Sequence, residues 1–264
     1  MNKTLIFFIA GNPSVPGVYD PFINHLTQSL EGDSLVETEI LLHIGQRDSP
    51  SEKLKKIHLT DVIGDHRNTI LESIKVKSPD RIILIGHSLG STICISLTEE
   101  LSPLVDQFIY LCPFLGPEKQ NEKYLKIFKN PLSRFSLKTG SHLILSNKKI
   151  SNVFFRNWLG ENKMNNHIIA EIKKRNYLSH FFILLSGYFK DFDSLQIKKV
   201  IPKLDPEKSF FLFAKEDLWV PLGNINLLPK GSKYEVLDNI SHDFCLFEDE
   251  YKSVSSVLKT IIKL

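Results

Sequence analysis

Cysteine is scarce in this chain of 264 residues: only Cys94, Cys112 and Cys245 are present. An odd, widely spaced set offers neither a disulfide framework nor the paired spacing of a zinc site, so it fits reduced thiols in a cytoplasmic-type compartment. Long apolar runs are also missing. No stretch reaches the roughly 18 residues that would mark a membrane-spanning helix. The apolar core near the N-terminus, Leu5–Ala10, is shorter than the roughly 7–15 residues of a signal-peptide core. It runs directly into Gly11-Asn12-Pro13, a turn signal, and so reads as a strand. Excess charge of one sign is absent as well. Thirty-three basic residues against 30 acidic ones leave a net charge of +3, too small to suggest a nucleic-acid partner. No cofactor-binding or metal-ligand motif is found, and neither group is expected.

What remains is ordinary globular material, 42% apolar and 24% charged, enough to bury a sizeable core. The length suits one α/β domain with an insertion. Short apolar runs bounded by turn residues predict strands at Leu5–Ala10, Val36–His43, Arg81–Ile85, Gln107–Cys112, Ser209–Ala214 and Tyr234–Leu237. Helical spacing of apolar residues predicts helices at Tyr19–Ser29, Leu59–Val76, Leu89–Leu101 and Tyr251–Ile262. Strands and helices alternate, so the fold class is α/β, with a mainly parallel sheet covered by helices on both faces.

Residues 118–199 break this rhythm. They carry 16 basic residues against 6 acidic, whereas the rest of the chain carries 17 against 24. They also hold twelve aromatics, Phe154, Phe155, Trp158, Tyr177 and Phe181 among them. The expected organisation is a single domain over 1–264, with core segments 1–117 and 200–264 and a helical lid inserted at about 118–199. A basic face beside aromatic and apolar residues suits peripheral contact with a lipid surface.

Gly86-His87-Ser88-Leu89-Gly90 stands between a predicted strand and a predicted helix. That is the setting of a nucleophile elbow, where a serine is presented on a tight, strained turn and flanking glycines keep side chains out of the way. His87 lies inside the turn and reads as a backing residue. A serine hydroxyl needs a base. Of the nine histidines, His242 follows the last predicted strand and precedes the last helix. In the α/β-hydrolase fold the order is serine, then acid, then histidine. Asp217, at the end of the strand Ser209–Ala214, fits the acid, with Glu216 and Asp243 as rivals. Two N–H groups should hold the oxyanion. One belongs to Leu89, the residue after the nucleophile, and the other to Asn12 in the loop after the first strand, because Pro13 has no N–H.

Several short motifs, in order, carry a family resemblance. Ile9-Ala10-Gly11-Asn12-Pro13, followed by Tyr19 and Phe22, resembles the I-P-G-N-P opening of the lipid droplet-associated hydrolase family. His43-Ile44-Gly45 is similar to its H-A-G, and Leu59 with Asp61, His66 and Arg67 to its L-x-x-Q-x-x-H-K helix. Gly86–Gly90 resembles its G-H-S-I-G elbow, Tyr110-Leu111-Cys112-Pro113 its L-F-P, and His242-Asp243-Phe244-Cys245 its H-x-F-C. The chain departs from the pattern at Ala10, where proline is usual, at Ser14, where glycine follows the Gly-Asn-Pro, and at Asp61. The resemblance implies an α/β-hydrolase fold, a triad on Ser88, Asp217 and His242, and hydrolysis of small-molecule or lipid esters. It also implies a cytoplasmic protein, peripheral on a lipid droplet or membrane surface. Two alternatives remain: an acyltransferase or thioesterase on the same elbow, and a lipid-surface protein with a vestigial triad.

Overall fold

The computed structural model describes residues 2–15, 17–30, 32, 35–44, 46–47, 57–116, 130, 191–192 and 195–262. Among the described residues, six strands form one sheet: β1 (Lys3–Ile9), β2 (Leu35–Leu41), β3 (Arg81–His87), β4 (Gln107–Leu111), β5 (Ser209–Ala214) and β6 (Lys233–Leu237). Their order across the sheet is β2-β1-β3-β4-β5-β6. Every neighbouring pair is parallel.

The run-on hydrophobicity of the central strands has a direct cause. Successive side chains point to opposite faces, and both faces are covered. Leu5, Phe7 and Ile9 join Leu84, Tyr110 and Phe213 on one face, packed against α2 (Leu59–Lys77) and α3 (Leu89–Leu101). Ile6 and Phe8 join Ile83, Ile85 and Leu212 on the other, against α1 (Asp20–Leu30) and the C-terminal helix (Glu248–Ile261). The edge strands β2 and β6 are only partly buried, so their sequences carry charge at Glu37, Glu39 and Glu235.

Most sequence boundaries shift by a residue or two, and three of the shifts have a plain physical reason or consequence. The C-terminal helix starts at Glu248, a turn earlier than its apolar periodicity, because Glu248, Asp249 and Glu250 fill a first turn that favours negative charge. α1 starts at Asp20 with Pro21 in the first turn, a position where a missing N–H costs no hydrogen bond. β2 ends at Leu41, and Leu42 and His43 leave the ladder. The predicted lid insertion falls largely outside the described residues. Its described end includes Phe192, whose ring packs edge-on to Phe114, and the short helix α4 (Ile197–Val200), anchored by buried Ile197; with α4 so placed, the C-terminal helix is α5. Among the described residues, no helix is long and apolar enough to cross a membrane.

Because all six strands run the same way, the loops after β1, β3, β4, β5 and β6 collect at one edge of the sheet. That edge is where ligands bind in open α/β sheets.

Candidate active site

Ser88 occupies the one-residue turn between β3 and α3. Its backbone has φ 53° and ψ −116°, a left-handed conformation that costs of the order of 1–3 kcal/mol. The surroundings impose it. The Ser88 N–H donates to the Leu111 carbonyl (2.9 Å), and the Ser88 carbonyl accepts from Phe114 N–H (3.2 Å) and Ser91 N–H (3.1 Å). Ser91 Oγ donates to the Gly86 carbonyl at 2.7 Å. A Cβ on Gly86 would lie 2.5 Å from the Gly90 oxygen, and one on Gly90 would lie 2.1 Å from the Ile9 oxygen. Both positions therefore require glycine.

The side chains beyond the turn converge. Ser88 Oγ donates to His242 Nε2 at 2.8 Å. His242 Nδ1–H donates to Asp217 Oδ2 at 2.7 Å. Asp217 has no side-chain exposure, and its second oxygen, Oδ1, accepts Trp219 N–H (2.7 Å) and Val220 N–H (3.0 Å). Both oxygens are thus engaged as acceptors, with Oδ2 facing the imidazole. Glu216, the sequence rival, is exposed on the adjacent residue, and Asp243 is likewise exposed. The loop carrying His242 is held from behind by Glu250, which accepts both the N–H and the hydroxyl of Ser241 at 2.7 Å.

The loop after β1 lies against Ser88. A Cβ on Gly11 would sit 3.2 Å from Ser88 Cβ. Leu89 opens α3, where first-turn N–H groups have no intrahelical acceptor. Neither its N–H nor that of Asn12 has an acceptor among the described residues. The loop is braced by buried Gln46, whose Oε1 accepts both the N–H and the hydroxyl of Ser14 (2.7 Å each) and whose Nε2 donates to Asn12 Oδ1 (3.0 Å). Ser14 Oγ in turn accepts His43 N–H at 3.0 Å, and His43 Nδ1 meets His66 Nε2 at 2.9 Å. Burial holds both histidines below their ordinary range, His66 at about 4.

Sequence reasoning missed Gln46 and Glu250 as supports and gave Tyr19 a place at a predicted helix start and in the family resemblance, but no role. Gln46 and Glu250 carry no motif. Their partners lie 32 and 34, or 9, residues away, and only the fold brings them together.

Among the described residues, Cys112, Asp217 and His242 place metal-ligating atoms within 4.8 Å of one another. The donor set fits a metal poorly. Burial, and then the Asp217 charge, push the Cys112 thiol well above its ordinary range, so it stays protonated. The Asp217 oxygens are already saturated by the imidazole and two backbone N–H groups.

Comparison with known proteins agrees with this architecture. A family model described as lipid-droplet associated hydrolase matches residues 2–245. The mouse (Mus musculus) lipid droplet-associated hydrolase is 24% identical, with 96% of this chain and 83% of that protein covered. Among solved structures, an α/β hydrolase from a Medee basin deep-sea metagenome superposes with a TM-score of 0.70 at 13% identity, covering 100% of this chain and 92% of that one. An epoxide hydrolase from Vigna radiata gives 0.67 at 12% identity, covering 99% and 91%. These structural likenesses establish the α/β-hydrolase fold. The family match covers most of the chain, and the chain belongs to the lipid-droplet associated hydrolase family.

Proposed function

We propose that this family member is a serine hydrolase that cleaves carboxylic esters, lipid esters among them, through an acyl-enzyme. The observation that carries the reading is the unbroken chain from Ser88 Oγ to His242 Nε2 (2.8 Å) and from His242 Nδ1 to Asp217 Oδ2 (2.7 Å). The hydroxyl oxygen attacks the ester carbonyl as its proton passes to Nε2. The imidazolium that forms is stabilised by the buried Asp217 anion. Negative charge on the former carbonyl oxygen is taken by the N–H groups of Asn12 and Leu89, at the turn before Pro13 and the start of α3. Collapse expels the alkoxide, which receives the proton from Nε2. A water molecule, deprotonated by the same nitrogen, then releases the acid.

The test is an active-site label. A fluorophosphonate should modify the wild type at Ser88 and leave Ser88→Ala untouched, and turnover of an activated ester should disappear in parallel. A panel of esters of graded chain length, as monomers and as emulsions, then defines the substrate. Equal labelling and turnover in Ser88→Ala would overturn the reading.

The charge pattern of residues 118–199 supports contact with a lipid surface, in keeping with the name of the mouse relative. This contact would bring apolar esters to the site.

A further inference from the structure

Gly11, in the loop proposed to hold the oxyanion, and His242, the proposed base, are joined by a hydrogen-bond chain that the reaction itself does not use. Gly11 N–H donates to the Tyr19 hydroxyl at 2.9 Å. The Tyr19 oxygen lies 3.0 Å from His87 Nδ1. His87 Nε2 lies 2.9 Å from the carbonyl of His242. All three links run through buried groups, since Tyr19 is 4% exposed and His87 3%.

The polarity of the chain has a single solution. A backbone N–H only donates, so the Tyr19 oxygen accepts from Gly11 and its own proton is free to go to His87. A carbonyl only accepts, so His87 Nε2 must carry a proton for His242. His87 Nδ1 is then the acceptor for Tyr19, and the ring is the neutral Nε2–H tautomer. A proton added at Nδ1 would face the tyrosine hydroxyl and leave its O–H with no acceptor. Burial first, and then repulsion from the nearby His242, hold the His87 pKa down to about 3, in the same sense. The groups packed on His87 are Tyr19, the residue before α1, and His242 and Phe244 from the loop after β6, with ring centroids 5.7, 5.3 and 5.1 Å away. Tyr19 and His242 are the titratable ones.

We propose that Tyr19 and His87 are positioning residues, which lock the oxyanion loop and the backbone of the base into one rigid unit. This rests on the serine-hydrolase reading above. Its consequence is that the separation between the Asn12 N–H and His242 Nε2 is fixed before substrate arrives. Errors of about 1 Å in such constellations cost on the order of 10²-fold in rate. Keeping His87 neutral has a second effect: the imidazolium that forms on His242 meets no second positive charge.

The test combines imidazole ¹⁵N NMR on the intact protein with kinetics of Tyr19→Phe, His87→Gln and His87→Leu. In the wild type His87 should show the Nε2–H tautomer, with Nδ1 shifted as a hydrogen-bond acceptor, unchanged from about pH 5 to about pH 8. Tyr19→Phe keeps the ring that packs 4.9 Å from Phe8 and removes only the hydroxyl. It should move the Nδ1 resonance to its unbonded value and lower kcat by roughly 10-fold to 100-fold, with KM within about two-fold. Glutamine at position 87 retains a donor and an acceptor and should keep more kcat than leucine. Wild-type kcat in Tyr19→Phe, or a loss that only follows the fraction of unfolded protein, would overturn the proposal. So would a cationic or Nδ1–H His87 in the wild type. A wild type with the expected tautomer but no fluorophosphonate labelling would instead overturn the hydrolase reading, and the positioning role with it.

Discussion

Asp217→Asn is nearly isosteric, yet it should be as damaging as removing the side chain. The structure fixes the outcome through its donors. Asp217 Oδ1 faces two backbone N–H groups, of Trp219 and Val220, and Oδ2 faces His242 Nδ1–H. Asparagine has one oxygen and one NH₂. If the NH₂ turned toward Trp219 and Val220, it would set donor against donor twice in a site with no water-accessible side-chain surface. The oxygen therefore takes the backbone side and the NH₂ turns to His242. Nδ1 must then accept, the ring proton moves to Nε2, and Nε2 can no longer receive the proton of Ser88, 2.8 Å away. A base locked in the wrong tautomer costs about 10⁴ in kcat, or about 5 kcal/mol of transition-state stabilisation. Ser88→Ala and His242→Ala should cost more, on the order of 10⁶. Asp217→Ala leaves the imidazole free to choose its tautomer and should be no worse than asparagine, while Glu216→Gln should leave turnover near wild type. The assay is turnover of an activated ester, with the rate of fluorophosphonate labelling as a second readout. Asparagine retaining a tenth or more of wild-type activity, or falling well above alanine, would refute the donor argument; a larger loss in Glu216→Gln would move the acid to that residue.

Gly90→Ala should place a methyl 2.1 Å from the Ile9 oxygen and 2.7 Å from that of Ala10, backbone atoms that cannot step aside. The expected result is a loss of about 1–3 kcal/mol or more in chemical denaturation, with labelling slowed about 10²-fold. Stability should also depend on acid. His66 and His87 are held at about 4 and about 3 in the folded chain against an ordinary 6.5, mainly by burial. The unfolded chain takes up these protons first as pH falls, so their contribution is present above about pH 6.5 and is lost progressively toward about pH 4 for His66 and about pH 3 for His87. The slope is up to about 1.4 kcal/mol per pH unit for each histidine. Urea midpoints across that window should show it, and His87→Gln should flatten it; an unchanged slope would show that the ring is not kept neutral. In flotation with anionic vesicles at low salt, the wild type should rise with the lipid, and a variant neutralised at Lys173, Lys174 and Arg175 should rise less; equal recovery would remove the proposed lipid contact.

The central strands were legible because a sheet covered on both faces needs apolar residues at every position, and β1, β3, β4 and β5 satisfy this almost without interruption. The elbow was legible because steric exclusion leaves a signature within five residues. His242 and Asp217 followed from chain order and strand ends, and the structure brings both to Ser88. Their supports were not legible. Tyr19, Gln46 and Glu250 act through hydrogen bonds whose partners are set by the meeting of separate loops, and a lone polar residue leaves no periodicity; His87 was legible only as a backing residue, without its partners. The first turn of α5 was missed for another reason: Glu248, Asp249 and Glu250 make a helix start by charge, and apolar spacing does not register it.

The two elbow glycines act for different reasons. Neither has a positive φ, so the backbone freedom of glycine is not what the turn consumes; the strained residue is Ser88 itself. Gly86 leaves room within the motif, since its absent side chain would meet the first turn of α3 at Gly90 and Ser91. Gly90 leaves room outside it, because its absent side chain would meet the end of β1 at Ile9 and Ala10. The second contact has the greater chemical consequence. It lets the N-terminus of α3 approach the strand that runs straight into Gly11 and Asn12. The Leu89 N–H belongs to that helix start, and the Asn12 N–H to that strand's exit. A bulkier residue at position 90 would therefore part the two proposed oxyanion donors while leaving the serine on its turn. On this geometry, the final glycine of Gly-His-Ser-Leu-Gly belongs functionally with the Gly-Asn-Pro loop, almost eighty positions earlier in the chain.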